Sequence, residues 1–359
     1  MNTFAPLDTI DELLEHARCE RDNGNANEAA SLLETVLDLT RRQGDLGRET
    51  TTLFELASAR LDMGAWSIAR EVAYKGLDAC RLINHRIAEM AFHGLLGQLQ
   101  RRMENYEKAL DHMLTGLQLA QESCALEREV VFYADLANLS LMTGNAHTAA
   151  AQADAGLRRA CELDNAEMRL AFIGIKAQAL RMRGECEAAQ LLLEEGLRLA
   201  ELEGSHDRVT LFRHDLALLA QDMGEFDRAE ELLIETCEDF RNANKLESLY
   251  TALQNLTQLR MNDGWSEKAS SSLADELVVA SSLDNYIFHK AVLRMIGILE
   301  QLWSKDMYED LEVALKVLRE SLDDLTIGNG ASDHARHLFD AISNFSNRLQ
   351  VILQRRKQS

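Results

Sequence analysis

Residues 64–69, Gly-Ala-Trp-Ser-Ile-Ala, begin with a glycine and end, five positions later, with an alanine. This pair returns at intervals of forty residues along most of the chain, and only Glu104 interrupts the glycine series. A fixed period of roughly twenty to fifty residues is typical of a solenoid. The glycines are Gly24, Gly64, Gly144, Gly184, Gly224 and Gly264, and the alanines are Ala29, Ala69, Ala109, Ala149, Ala189, Ala229 and Ala269.

A third column of small residues lies seven positions before each of these turn positions, and Gly297 continues it one step further. Apolar residues such as Leu53 and Leu56 recur at helical spacing before Gly64, and Ala73 and Leu77 continue that spacing after it. The pattern predicts two helices joined at a glycine, which readily takes the positive φ of a helix C-terminus. Small residues let the two helices pack closely. The third column is Ala17, Ala57, Gly97, Ala137, Ala177, Ala217, Thr257 and Gly297.

Residues 104–110 and 116–120 together resemble the second half of a tetratricopeptide repeat, as do residues 184–189 and 224–229. The period of forty exceeds the family's usual length of about 34 residues. This difference resembles the long-helix variants of MalT-like bacterial regulators and of polarity scaffolds. The proline that often ends such a repeat is absent, since Pro6 is the chain's one proline.

The columns and the resemblance together predict an all-α, right-handed α-solenoid of about seven to eight helix-turn-helix repeats. We expect the repeat domain to span residues 1–325 and a C-terminal helix, either cap or coiled coil, to occupy residues 326–359. The expected units lie at about 10–49, 50–89, 90–129, 130–169, 170–209, 210–249, 250–289 and 290–325.

In the family, the first helix of each repeat lines the inner, concave surface, so the resemblance implies that a partner binds there. Regularly spaced amides can pair with an extended peptide backbone, and arginines can fork onto carboxylates. The alternative is that these side chains are only hydrophilic residues on a wet surface. A floor open to a bulky side chain is expected at Gly94, Ala134 and Gly174. The candidate groove residues are Arg18, Arg21, Gln98, Arg101, Asn138, Gln178, Arg181 and Gln258.

The last predicted helix carries apolar residues in strict four-three alternation, which is typical of a coiled-coil seam or of a capping face. Such a seam must be covered, either by the last repeat or by a second copy of the chain. A homodimer through residues 333–355 and an intramolecular cap both remain open. The seam residues are Leu338, Ile342, Phe345, Leu349 and Ile352.

Composition excludes several functional classes. A formal charge of -21 disfavours direct nucleic-acid binding. There is no apolar run of bilayer length and no basic-then-apolar leader at the N-terminus, which predicts a cytoplasmic protein without membrane insertion. Cys19, Cys80 and Cys237 occupy columns filled elsewhere by apolar residues, so we expect them to be core thiols.

No nucleophile elbow, phosphate loop or metal-binding helix motif occurs, and the pair His334 and His337 has no clearly placed third ligand. Aromatic residues after the turns, such as Trp66, Tyr106 and Phe226, are expected to fill the seam between helices. The sequence therefore predicts no enzyme, cofactor or metal. It favours a scaffold or adaptor that binds a protein or peptide partner; the alternative is a MalT-like regulatory sensor that binds a small effector or signalling peptide and controls a separate output protein.

Overall fold

The computed structural model describes residues 7–262, 266–283, 285–305 and 307–327, together with the isolated position 344. Within those residues it contains sixteen α-helices and no β-strand. The predicted all-α repeat fold is therefore confirmed. The five residues of the predicted C-terminal seam and the pair His334 and His337 lie outside the described residues, so the homodimer stays a prediction.

The chain divides into two compact units, Met1–Glu185 and Cys186–Ser359. In the first unit each helix packs against the next one along the chain. Its helices are α1 (Leu7–Asp22), α2 (Ala26–Gln43), α3 (Leu46–Asp62), α4 (Trp66–Leu82), α5 (Arg86–Arg102), α6 (Tyr106–Glu122), α7 (Leu126–Met142), α8 (Ala146–Glu162) and α9 (Ala166–Met182).

In the second unit each helix likewise packs against the next one along the chain, and α16 also packs against α14. Its helices are α10 (Cys186–Leu202), α11 (His206–Asp222), α12 (Phe226–Asn242), α13 (Leu246–Asn262), α14 (Glu267–Ser281), α15 (Asn285–Ser304) and α16 (Tyr308–Ile327).

The turns explain why the repeat tolerates Glu104. Gly64 has a φ of 71°, and its N–H donates to the carbonyl of Leu61 over 2.9 Å. Glu104 adopts the same left-handed conformation, with a φ of 60°, and its N–H donates to the carbonyl of Arg101 over 3.0 Å. A non-glycine residue pays a steric cost there, so the turn geometry is imposed by the two helices that it joins.

The alanine columns form the seam between the two helices of each hairpin. Ala137 and Ala149 are both fully buried, as are their equivalents in neighbouring repeats. Gly97 belongs to the same column, and a Cβ atom there would lie 2.9 Å from Met113 Cγ. Gly297 differs, because a Cβ atom on it would meet no atom within 4 Å. The tight seam thus relaxes by α15, where the sequence pattern also diverges.

A second recurring contact joins successive hairpins, and it lies outside the columns that predict the hairpin. A glycine on one even-numbered helix packs against the edge of a phenylalanine ring from the following helix, because it has no side chain in the way. A Cβ atom on Gly116 would lie 2.2 Å from Phe132 Cζ, which is far inside van der Waals contact. The same pairing occurs at Gly76 with Phe92 and at Gly156 with Phe172.

Replacing Gly116 with alanine should therefore destabilise the protein. The added methyl group must displace the ring of Phe132, and overpacking of this kind costs about 1 to 3 kcal/mol of unfolding free energy. The matched control is Gly297→Ala, also inside a helix but facing open space, which should stabilise by about 0.5 to 1 kcal/mol. Urea denaturation of both variants measures the difference. Equal stability of the Gly116→Ala variant and the parent would contradict the close contact.

Two expectations about single side chains are wrong. Cys19, on α1, is exposed rather than buried. Phe226 is 52% exposed, whereas Ala146 at the equivalent position is buried. The first turn of the second helix therefore covers a methyl group but not a whole phenylalanine ring.

The other two cysteines of that set are buried, as predicted. Burial raises the pKa of the Cys80 thiol to about 11, and burial likewise raises the pKa of Cys237 to about 11. Both side chains therefore remain protonated thiols at neutral pH, which makes them poor nucleophiles and poor metal ligands.

The second unit contains a buried ion pair at a position where earlier repeats have glycine. Glu276 takes the place of Gly76 and Gly116 in the forty-residue register, and its side chain is fully buried. Arg294 Nη1 lies 2.8 Å from Glu276 Oε2, and Gln254 Nε2 donates to Oε1 over 3.3 Å. Burial raises the pKa of Glu276, whereas the charge of Arg294 lowers it.

Candidate functional site

Four alternate helices of the first unit form one face. The helices α1, α3, α5 and α7 contact one another in that order, and together they line a cleft of about 410 Å³. We call this cleft the first-unit groove. Its apolar lining is Phe54, Leu61, Met90, Ala91, Gly94, Leu95, Val131 and Phe132; its polar lining is Arg21, Glu55, Ser58, Asp62, Gln98, Arg128 and Asp135.

Gly94 gives the groove its depth. A Cβ atom on this residue would meet only Phe132, at 3.8 Å and 3.9 Å, which is ordinary contact. At the equivalent positions of other repeats the chain has Phe54, His214 and Gln254. The backbone therefore accepts large side chains at this position, and the space above Gly94 results from its missing side chain.

Two of the candidate arginines are already engaged within the protein. Arg18 Nε lies 3.2 Å from Glu55 Oε1, and Arg21 Nη1 lies 2.7 Å from Glu55 Oε2. Arg21 also approaches Asp62, with 4.0 Å between Nε and Oδ2. Burial raises the pKa of Asp62, and Arg21 lowers it. The carboxylate of Glu55 thus neutralises much of the positive charge that would otherwise attract a partner's acidic groups.

The carboxylate of Asp135 lies at the other side of the groove, and its hydrogen bonds are less complete than those of Glu55. Asp135 Oδ2 is buried and has no hydrogen-bond partner. Burial raises the pKa of Asp135, while the charge of Arg101 and a hydrogen bond from Gln98 lower it. Arg101 also donates through Nη1 to Met142 Sδ over 3.7 Å. The candidate residues Gln98 and Arg101 therefore act on a carboxylate of the protein itself.

The structure distributes the eight candidate residues over more than one place. Arg21 and Gln98 line the groove, whereas Asn138 is exposed on α7, and Gln178 and Arg181 are half-buried on α9. Gln258 lies in the second unit, where its Nε2 donates to Asn262 Oδ1 over 3.1 Å. Of the eight, only Arg21 and Gln98 belong to the lining of the first-unit groove, and the role of the set in binding stays a prediction.

Glu55 and Asp135 are among the groove residues absent from the set predicted from the sequence, although they share one column. Glu55 and Asp135 are two repeats apart at the same position, immediately after the column that contains Phe54 and Ala134. An acidic residue recurring beside a column already assigned to the groove was the available signal. What the sequence could not show is that Glu55 has two arginine partners while one oxygen of Asp135 has none.

A separate histidine cluster lies among α4, α5 and α6. His93 Nδ1 is 3.1 Å from His112 Nδ1, and Tyr74 Oη is 3.1 Å from His112 Nε2. His93 is only 4% exposed. Burial and the neighbouring His112 lower the pKa of His93 to about 4, and burial also lowers the pKa of His112. Both rings are therefore neutral at pH 7.

The part of the chain that the structure describes contains neither a three-residue metal-binding group nor a membrane-spanning helix. Its histidine, cysteine, aspartate and glutamate side chains form no group of three that could hold a metal ion. Within the same ranges, no helix is both long enough and apolar enough to cross a bilayer.

Comparison with known proteins gives a match at the level of structure only. No family model matches the sequence, and no curated protein matches it. A protein from Pyrococcus horikoshii, described as a signal transduction ATPase with a tetratricopeptide repeat sensor, has a TM-score of 0.59 at 16% identity, covering 86% of this chain and 44% of that one.

Two further solved structures are similar over most of their length. A Rap protein complexed with competence and sporulation factor has a TM-score of 0.54 at 14% identity, covering 96% of this chain and 100% of that one. A tetratricopeptide repeat protein from Parabacteroides merdae has a TM-score of 0.56 at 15% identity, with coverages of 79% and 97%. At these identities the likeness concerns the fold. The chain accordingly has the fold of the tetratricopeptide-repeat proteins.

Proposed function

We propose that this chain is a non-enzymatic interaction scaffold or adaptor that binds a peptide or helix of a partner protein in the first-unit groove. The observation that carries the proposal is the groove itself, a cleft of about 410 Å³ built by four successive repeats. It combines an apolar floor with convergent charged groups, the composition expected of a specific binding site.

The apolar lining supports a peptide rather than a purely polar ligand. Val131 is 43% exposed in the groove, and Phe54, Met90 and Phe132 line the same cleft. Met90 and Phe132 are already buried within the protein, so a partner would mainly cover Val131 and the half-buried Phe54. Burial of that surface is favourable by about 25 cal/mol per Å² of apolar area. The similar Rap structure, which is complexed with competence and sporulation factor, supports the idea that this fold can serve as a receptor.

A regulatory sensor is the second candidate, because the groove volume of about 410 Å³ also falls within the range of roughly 300 to 1,000 Å³ typical of small-molecule sites. On this hypothesis a small effector or signalling peptide would occupy the groove and control a separate output protein. A cytoplasmic location and the absence of nucleic-acid binding belong to both candidates and stay predictions from composition.

The test is to fill the groove and measure binding. Gly94→Gln should place a side chain in the cleft without disturbing the fold, since Gln254 occupies the equivalent position in a later repeat. The probe is a displayed library of random peptides, selected on the full-length protein. We expect the selected peptides to bind the parent and to lose at least about tenfold in affinity on the Gly94→Gln variant, the equivalent of about 1.4 kcal/mol.

Thr115→Gln is the matched control, because Thr115 is exposed on α6, outside the groove lining. It should bind the selected peptides as the parent does. Peptides that bind both variants equally would place the binding surface elsewhere and overturn the proposal. If selection yields nothing while native mass spectrometry of the purified protein shows a bound small molecule that Gly94→Gln removes, the sensor hypothesis replaces the scaffold.

A further inference from the structure

We propose that the partner segment carries a lysine or arginine beside an apolar residue, and that its cationic group pairs with Asp135 in the first-unit groove. This inference rests on the proposed function and specifies the chemistry of the occupant. The family resemblance points instead to arginines and amides of the chain itself as the binding groups. Arg18 and Arg21, however, already pair with Glu55 inside the protein, whereas one oxygen of Asp135 has no hydrogen-bond partner.

One buried oxygen in the groove lacks a donor. Asp135 Oδ2 has no hydrogen-bond partner although it is shielded from solvent. Buried polar atoms in native proteins almost always have partners, and leaving one without a partner is costly. Gln98 supplies a single hydrogen bond to this carboxylate. A donor that arrives with the ligand would satisfy the remaining oxygen.

The groove lining also carries more negative than positive charge. Three carboxylates, Glu55, Asp62 and Asp135, face two guanidinium groups, those of Arg21 and Arg128. Arg21 is taken by Glu55 at 2.7 Å, and Arg128 is exposed on α7. Arg101, which is not part of the lining, also acts on Asp135 through its charge, but Oδ2 of this carboxylate still has no hydrogen-bond partner. Charge complementarity favours a cation over a carboxylate at this end of the groove.

Apolar surface lies directly beside Asp135. Val131 precedes it by one helical turn and lines the same cleft, together with Phe132 and Phe54. Residues four apart lie on one face of a helix, so the carboxylate and the apolar surface are adjacent. A basic side chain can lay its methylene stem along such a surface while its charged end reaches the carboxylate. The neighbouring apolar residue of the ligand would pack on Phe54 and Val131.

The experiment is a double-mutant cycle between the protein and a selected peptide. We expect peptides selected on the parent to share a basic residue, and Asp135→Asn to weaken their binding at least about 30-fold, the equivalent of about 2 kcal/mol. Replacing the peptide's basic residue with norleucine should weaken binding to the parent similarly but should change binding to the Asp135→Asn variant little. Fluorescence anisotropy on full-length protein measures all four affinities.

Asp111→Asn is the control, because Asp111 is an exposed carboxylate on α6, and it should leave affinity unchanged. Thermal melting shows whether Asp135→Asn remains folded, as expected when a buried charge is neutralised. This inference would be overturned, and the proposed function left intact, if the peptides blocked by Gly94→Gln lacked a basic residue or bound the Asp135→Asn variant normally. Absence of any peptide sensitive to Gly94→Gln would overturn both.

Discussion

Replacing Arg294 with methionine should lower the free energy of unfolding by about 3 to 5 kcal/mol at pH 7, because breaking a buried ion pair leaves an uncompensated charge. The partner carboxylate of Glu276 is fully buried, so water cannot replace the guanidinium. Arg294 Nη2 also donates to the carbonyl of Gln254 over 3.3 Å, and this hydrogen bond is lost as well. Urea denaturation of the variant and the parent gives the difference.

The loss should depend on pH in a defined direction. Burial already raises the pKa of Glu276 and Arg294 opposes that rise, so the pKa rises further in the Arg294→Met variant. A carboxyl group whose pKa is raised in the folded state contributes least stability above that value, since the unfolded state ionises first. The deficit of the variant should therefore be small below pH of about 4.3, the ordinary pKa of glutamate, and should grow towards neutral pH.

Two controls separate the buried charge from a general effect of losing an arginine. Arg228 and Glu225 form a solvent-exposed pair at 2.9 Å, so Arg228→Met should change stability by no more than about 1 kcal/mol. Combining Arg294→Met with Glu276→Met should restore much of the loss, because well-packed apolar groups often replace a buried pair without penalty. A double variant no more stable than Arg294→Met would show that the pair is not the cause.

The repeat fold could be predicted from the sequence because its determinants are local and periodic. The turn position and the buried alanine need only a fixed register within one hairpin, and seven repeats display it. Glu104 shows how strongly neighbouring repeats constrain a position that departs from the pattern, since it adopts a positive φ all the same. The burial of Ala149 and Ala189 follows from the same register.

The contact between glycine and phenylalanine has an equally visible signal in the sequence. Gly76, Gly116 and Gly156 recur every forty residues, and a phenylalanine follows each of them sixteen positions later. The columns that predict the hairpin surround its turn, whereas this contact joins one hairpin to the next. Only a comparison of coupled columns across the boundary between repeats identifies it, so the columns within a hairpin did not predict it.

The period predicts which helix faces could form a groove, but not the contacts between their side chains. Register places Arg18 and Arg21 near the groove face, yet their partner Glu55 lies 37 and 34 residues further along the chain. Which side chains pair across neighbouring repeats depends on rotamers and on distances of a few ångströms. For that reason the sequence predicted free arginines where the structure has an ion pair, and it did not indicate Asp135.

The histidine cluster leads to the second large effect, a loss of stability in acid. His93 has a pKa lowered to about 4, against an ordinary value of about 6.5, and each pKa unit corresponds to about 1.4 kcal/mol. As the pH falls below about 6.5, the unfolded state takes up a proton that the folded state does not, so stability falls until the folded pKa is reached. The contribution of His93 is at most about 3 kcal/mol at pH 4.

The charged groups around the cluster do not offset this loss. Glu89 favours a proton on His93, but Arg81 opposes it, and those two side chains pair with each other at 3.1 Å. His93 Nδ1 and His112 Nδ1 are 3.1 Å apart, so if both rings were protonated their two positive charges would repel each other strongly. The proton must therefore enter a buried ring whose Nε2 has no partner.

His93→Leu isolates the effect, because leucine occupies the equivalent positions 53 and 253. Other carboxylates and histidines also titrate between pH 7 and pH 4, so the informative quantity is the difference between variant and parent at each pH, measured by urea denaturation. That difference should move in favour of His93→Leu as the pH falls, whereas His16→Gln, a change at an exposed histidine, should follow the parent throughout. Parallel curves for His93→Leu and the parent would contradict the prediction, because they would mean that His93 accepts its proton as readily in the folded protein as in the unfolded one. The buried cluster would then have to open in acid without lowering the free energy of unfolding.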